Sequence, residues 1–164
     1  MSNIEVHFSS KSNEWQTPPE LFNLLDNEFH FGLDVAATKE NARCKAYFTQ
    51  ENNALTQDWA KSNFCNPPYG RLIGKFVKKA YEESIKGNLT CLLIPARVET
   101  NYFFNYCSKG EVRFIKGRLK FINPSFPSFR EDGNFKISSA PFPSCIVIFS
   151  KDIAPCVKWV NLDV

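Results

Sequence analysis

The chain has 164 residues, 43% of them hydrophobic and 23% charged, enough for one compact domain with an apolar core and short for two. An aromatic share of 15%, sixteen residues of it phenylalanine, excludes disorder as the general condition of the chain, and no apolar run approaches the roughly 20 residues of a membrane span. The net charge of +3 conceals an asymmetry, since residues 1–70 carry five Lys/Arg against nine Asp/Glu and residues 71–164 carry fifteen against eight; the basic half suits a polyanionic partner as well as it suits a solvated face.

Residues 1–14 are polar and aperiodic and read as a flexible arm preceding a single domain over 15–164. The arm has neither the basic start nor the apolar core of a signal peptide. Six cysteines at 44, 65, 91, 107, 145 and 156 are widely spaced, form no CxxC pair and sit mostly in apolar stretches. They read as buried free thiols in a reducing, cytoplasmic setting, with no structural metal.

Thr17-Pro18-Pro19-Glu20 marks a helix start, with Thr17 as the cap, proline in the first turn and Glu20 at capping-box spacing. Leu21, Phe22, Leu24, Leu25 and Phe29 supply the apolar face of that helix. His30 to Ala37 predicts a buried strand ending at Asp34, Lys45 to Phe48 a weaker one, and Asn52 to Trp59 a turn with one short strand. Ser62 to Cys65 predicts another strand, cut off by Asn66-Pro67-Pro68 because two prolines offer no ladder donors. Ile73, Phe76, Val77, Ala80, Tyr81 and Ile85 then recur at helical spacing up to Gly87. Leu89 to Ile94 is a continuous apolar run of strand length. Strand, helix and strand in this order make a βαβ unit and predict a parallel sheet. A helix over Thr100 to Cys107 follows, then strands at Val112 to Ile115 and Leu119 to Ile122, expected to pair through Lys116-Gly117. Residues 123–143, rich in Pro, Ser and Phe, read as a long irregular excursion before Ser144 to Phe149 closes the sheet.

The chemistry concentrates at Asn66-Pro67-Pro68-Tyr69. In an open parallel sheet ligands bind beyond the carboxyl ends of the strands, which is where this tetrapeptide falls. The prolines fix the direction of the Pro67 carbonyl, Asn66 adds a side-chain carbonyl, and Tyr69 adds a flat ring. Two convergent acceptors and a stacking face suit an exocyclic amine on an aromatic ring. Such a nitrogen is a poor nucleophile until acceptors on its N–H groups favour a pyramidal form. Facing a sulfonium methyl such as that of S-adenosylmethionine, it could attack in line without a covalent enzyme intermediate and without a general base, positioning and electrostatics supplying most of the acceleration.

Trp15-Gln16-Thr17-Pro18, Leu33-Asp34-Val35-Ala36-Ala37 with Glu40-Asn41-Ala42, Leu55-Thr56-Gln57-Asp58-Trp59, Asn66-Pro67-Pro68-Tyr69-Gly70 and Gly117-Arg118-Leu119-Lys120-Phe121, in this order, resemble the phage and prophage family of DNA N-6-adenine methyltransferases over residues 13 to 150. The resemblance implies an α/β, Rossmann-like methyltransferase fold, mostly parallel with an antiparallel strand at the C-terminal edge. It implies S-adenosylmethionine as cofactor and a soluble phage or prophage enzyme, monomer or weak dimer, acting on double-stranded DNA with the target adenine flipped out. Asn66, Pro67, Pro68 and Tyr69 match the catalytic tetrapeptide. Asp34 matches the acid beside the methionine half of the cofactor, Thr17 and Pro18 the element that closes over it, and Asp58 an acid near its adenine. Trp15, an aromatic embedded in the polar arm, joins these as a cofactor or lid candidate. Ala36 and Ala37 stand where related enzymes often carry a glycine-rich turn; being small, they still permit close backbone approach.

Arg71, Lys75, Arg113, Lys116, Arg118 and Lys120 are the candidates for a phosphate track, and Phe126 and Phe129 for wedges into a base stack. Residue chemistry leaves open other acceptors of the same methyl group, namely cytosine N4, RNA adenine and a protein glutamine amide. It also leaves open a non-catalytic nucleic-acid-binding relic of the fold.

Overall fold

A computed structural model describes residues 15–122 and 138–162. The expected arm over 1–14 and most of the excursion over 123–143, with Phe126 and Phe129, lie outside the described residues. The elements run α1 (Pro19–Phe29), β1 (Leu33–Asp34), β2 (Ser62–Cys65), α2 (Ile73–Ile85), β3 (Leu89–Pro95), α3 (Asn101–Asn105), β4 (Glu111–Ile115), β5 (Lys120–Phe121), β6 (Ser138–Ser139), β7 (Ser144–Phe149) and β8 (Cys156–Val160).

Six strands form one sheet in the order β1-β2-β3-β7-β4-β8, and β5 pairs with β6 in a small separate sheet. β1, β2 and β3 are mutually parallel; β7 runs antiparallel to both β3 and β4, and β8 parallel to β4. Five strands therefore point one way and β7 alone runs against them, a mixed, mostly parallel sheet with helices on both faces. Phe22 of α1 packs edge-on against Phe64 of β2, while Tyr81 of α2 packs on Phe149 of β7. The register Phe64↔Cys91↔Ile148 puts Phe64 on the face of Ile148, opposite that of Phe149, so α1 and α2 cover opposite faces.

The antiparallel strand expected at the C-terminal edge is internal. All six residues of β7 are buried, so its apolar side chains need helices on both faces and its backbone needs a neighbour on each side. The edge belongs to β8, which sequence reasoning missed. Its Val157 and Trp159 are 64% and 74% exposed, so this strand carries no burial pattern that would mark it. The expected hairpin of Val112–Ile115 with Leu119–Ile122 does not form, because Gly117, at φ +76°, turns the chain out of the sheet and β5 pairs with β6. Lys45–Phe48 makes a single bridge, Asp34↔Tyr47, instead of a strand. In place of the expected turn with one short strand over Asn52 to Trp59, the chain makes short 3-10 turns at Gln50–Asn52 and Ala54–Thr56 and no strand.

α1 corrects a local expectation too. Its N-cap is Pro18, with no side-chain cap bond, and the Thr17 hydroxyl is engaged elsewhere. All six cysteines are free; 65, 91, 107 and 145 are buried, Cys44 is half-buried and Cys156 exposed. Among the described residues no helix is long and apolar enough to cross a membrane, and no group of three or more His, Cys, Asp or Glu is placed to hold a metal.

The central strands pack closely where the chain enters β4. A Cβ on Gly110 would stand 2.7 Å from the Ile148 carbonyl oxygen and 2.8 Å from Phe149 Cδ1. Backbone cannot yield here as a flexible side chain would, so Gly110→Ala is expected to destabilise the fold by about 1–3 kcal/mol in urea melts.

Candidate active site

β1 and β2 both end at one rim of the sheet, and a cavity of about 630 Å³ lies beyond them. Asp34 to Thr38 form one wall and Asn66 to Tyr69 with Arg71 and Leu72 another; Trp15, Gln16 and Thr17 bound it from the N-terminal side, and Thr49, Gln50 and Asn53 to Leu55 contribute to the lining.

Asn66 is the chemical centre. Its Nδ2 donates to the Trp15 carbonyl at 2.5 Å and to Thr17 Oγ1 at 3.1 Å. A carbonyl oxygen only accepts, so the Trp15 bond settles which end of the amide is nitrogen. Oδ1 is then left buried and without a hydrogen-bond partner among the described residues. An unpaired buried acceptor costs the fold about 1–3 kcal/mol, a cost that a donor arriving from a ligand removes.

Asp34 carries a second such atom. Oδ2 accepts from the Arg43 backbone N–H at 3.0 Å, whereas Oδ1 is buried and unpartnered among the described residues. Burial pushes the Asp34 carboxyl up from its ordinary range, against the opposing pull of the Arg43 and Ala36 backbone N–H groups. The chain beyond it is pinned by Thr38 N–H to Asn41 Oδ1 at 2.7 Å and by Ala37 N–H to the Phe48 carbonyl at 2.9 Å.

Tyr69 lines the cavity from an aromatic cluster. Its ring meets Phe121 and Phe142 edge-on at 6.2 and 5.5 Å, and Trp15 meets the same two rings at 5.6 and 5.5 Å. The phenol donates to the Leu93 carbonyl at 3.4 Å, and burial holds it well above the ordinary tyrosine range, hence neutral.

The cavity thus brings together Trp15, Thr17, Asp34, Ala36, Asn66, Pro67, Pro68, Tyr69 and Arg71. It does not include Pro18 or Asp58. Pro18 faces a second cavity, since the bend that starts α1 turns it away; Asp58 is exposed and lies near Lys86, the first residue after α2. Arg43, Asn53 and Phe142 belong to the cavity lining and the aromatic cluster and gave no sequence signal as site residues, because the fold around them sets their places; Asn41, part of the Glu40-Asn41-Ala42 element of the resemblance, also lines the cavity.

The basic candidates divide. Arg71 lines the cavity, and Lys75 is exposed on α2. Lys116, Arg118 and Lys120 are exposed around the second cavity, of about 580 Å³, whose lining includes Leu21, Leu24 and Ile122. Arg113 is not part of any track. It forms a bidentate pair with Glu28 at 2.7 and 2.6 Å, bonds Glu111, lies over the Phe29 ring and is only 14% exposed. The Arg113 guanidinium holds the Glu28 carboxyl below its usual range.

The family described as DNA N-6-adenine-methyltransferase (Dam) matches residues 6–157. A protein of Escherichia phage T1 named DNA N-6-adenine-methyltransferase is 38% identical over 92 residues, covering 54% of this chain and 38% of the phage protein. One of the same name from Haemophilus phage HP1 is 31% identical over 121 residues, covering 70% of this chain and 69% of that protein. The chain thus spans under two fifths of the T1 protein and about two thirds of the HP1 protein. Among solved structures, the methyltransferase subunit of a type I restriction-modification system from Streptococcus thermophilus is similar at 14% identity and a TM-score of 0.48, over 90% of this chain and 47% of that one.

Asp34 permits a check on the electrostatics of the wall. Its folded pKa is raised, so the stability it contributes is greatest below the unfolded value, near pH 4, and is lost as pH rises through the folded value. Asp34→Asn, which removes the buried charge, is therefore expected to melt higher than the parent at pH 7, with the difference shrinking towards about pH 4. Paired thermal melts across that range measure it.

Proposed function

The chain belongs to the DNA N-6-adenine-methyltransferase (Dam) family, and we propose on that premise that it transfers a methyl group from S-adenosylmethionine to the N6 amine of adenine in DNA. The observation that carries the proposal is the Asn66 amide, turned so that its nitrogen is bound by protein and its oxygen is not.

The cavity fits the cofactor and a base by its chemistry. Among the described residues no donor reaches Asn66 Oδ1 or Asp34 Oδ1, one on each wall, and the cofactor's ammonium and the adenine amine are both donors. Asp34 and Ala36 would hold the cofactor, with the polar side chains of Gln50 and Asn53 along the same cavity. When bound, the cofactor supplies an electrophilic methyl group. Asn66 Oδ1 and the Pro67 carbonyl accept from the N6 amine and bias it towards the pyramidal form in which its lone pair can attack. Inside a water-poor site these dipoles act with little reorganisation. The neutral Tyr69 ring, fixed by Phe121 and Phe142, offers the base an apolar wall. His30 terminates α1 and does not line the cavity. No proton acceptor is required before transfer, since the amine releases its proton after it becomes cationic.

The N6 amine inside a duplex is out of reach of such a cavity, so the target adenine is flipped out. Arg71 at the first cavity, the exposed Lys75 on α2, and Lys116, Arg118 and Lys120 at the second cavity then bind backbone phosphates.

Incubation with isotopically labelled S-adenosylmethionine and a mixed pool of DNA, RNA and protein, followed by nucleoside digestion, should place the label on N6-methyladenine from DNA. Label in cytosine, RNA or protein would overturn the substrate assignment. Asn66→Ala should bind the cofactor as the parent does and lose turnover by a factor on the order of 10².

Affinity for DNA should fall steeply between low and moderate salt. Lys116→Ala and Arg118→Ala should each flatten the slope of log K against log salt by about 0.9 for every phosphate the variant no longer neutralises. Arg113→Met should lower the melting temperature and leave that slope unchanged, because Arg113 is already held by two carboxylates.

A further inference from the structure

We propose that Thr17 is a positioning residue for Asn66: its buried hydroxyl, with the Trp15 carbonyl, clamps the amide nitrogen so that Oδ1 is presented to the target amine, and Arg43 holds Thr17 in place. The inference rests on the methyltransferase reading and deepens it by assigning the group that sets the acceptor's direction.

One hydrogen bond from a primary amide to a carbonyl fixes which end is nitrogen and leaves the amide plane free to rock, because the terminal torsion of asparagine is broad. A second bond to a separate acceptor fixes the plane. Thr17 Oγ1 is that acceptor, at 3.1 Å from Asn66 Nδ2. The residue is only 4% exposed, so water has little room to stand in for the hydroxyl. Helix capping does not require the hydroxyl either, since α1 is capped at Pro18 without a side-chain bond.

Thr17 is itself secured from the opposite wall. Arg43 Nη2 donates to the Thr17 carbonyl at 2.7 Å, and the Arg43 backbone N–H donates to Asp34 Oδ2 at 3.0 Å. Gln16, one residue earlier, is bound on both sides to Ile122, at 3.0 and 3.2 Å. A run of hydrogen bonds and short covalent links thus joins Asp34 to Asn66, the two cavity residues whose acceptors lack a protein partner among the described residues.

The test compares Thr17→Val, which keeps the shape and loses the acceptor, with Thr17→Ser, which keeps the hydroxyl. The Asn66 side-chain ¹⁵N–H pair, assigned by its disappearance in Asn66→Ala, is followed by NMR in the protein without DNA. Methyl-transfer kcat and KM, and S-adenosylmethionine affinity by calorimetry, are measured alongside. In Thr17→Val the two amide protons should shift and broaden, and kcat should fall about five- to tenfold, the equivalent of one hydrogen bond. Cofactor Kd should change by less than about threefold, and Thr17→Ser should restore all three quantities. Unmoved amide signals or parental kcat in Thr17→Val would overturn the proposal, as would a serine variant no better than the valine one. A parent protein that transfers no methyl to DNA while its amide pair still responds to Thr17→Val would overturn it through its premise, and the parent control identifies that case.

Discussion

A carbonyl that can only accept decides the chemistry of this site. Because Asn66 Nδ2 faces the Trp15 carbonyl, its Oδ1 has to face away from the N-terminal segment, and no described residue donates to it. The bond joins residues 51 positions apart, so the segment over 15–17 must be brought across the mouth of the sheet and held there. The bridge of Gln16 to Ile122, the Arg43 bond to Thr17 and the immediate start of α1 at Pro19 all serve that placement. The prolines after Asn66 act from the other side, ending β2 and directing the chain into the cavity wall.

The same rim holds a second polar atom in an unfavourable state. Asp34 is 3% exposed, and its raised pKa records the cost of holding a carboxylate there. Its Oδ2 is engaged by the Arg43 backbone N–H, whereas its Oδ1 has no partner among the described residues. Two buried acceptors without a donor among the described residues, on two walls of one cavity, suit ligands that bring donors of their own.

Some of this is legible in the sequence and some is not, for physical reasons. β2, α2 and β7 stand where their patterns place them, because β2 is cut off by two prolines, α2 carries a clean helical period up to Gly87 and β7 is an almost continuous apolar run. The tetrapeptide after β2 is legible for the same reason. Thr17 reads falsely as a helix cap: the residues around it form a proper capping signature, and a bond to Asn66 leaves no local trace. Arg43 is invisible, since its place depends on a loop held by backbone bonds to β1 and by its own N–H on Asp34 Oδ2. β8 escapes because an edge strand with its apolar residues exposed lacks the alternation by which strands are recognised.

Charge shows the limit of counting most plainly. The basic excess of the second half suggests a continuous track, yet fixed ion clusters take part of it. Glu111 gathers Arg113 and Lys158, with Glu28 joining through Arg113, while the buried Glu83 gathers Lys79 and Lys86. Burial would raise the Glu83 pKa, but hydrogen bonds from Lys79, Asn88 and Lys86 outweigh it and leave the carboxyl below its usual range. The cluster of Glu28, Glu111, Arg113 and Lys158 is neutral seen from a Debye length away, and that of Glu83 keeps one net positive charge of its two lysines, so together they add little to the field that a polyanion meets. Other exposed cations border the two cavities, Arg71 the first and Lys116, Arg118 and Lys120 the second. Three of those, Lys116, Arg118 and Lys120, sit in or beside the turn that Gly117 makes out of the sheet, and β5, at its end, leads to the Ile122 bridge with Gln16. The segment that carries these cations is thus the one that fixes the Trp15–Thr17 strap, so the basic surface and the Asn66 amide share one mechanical support.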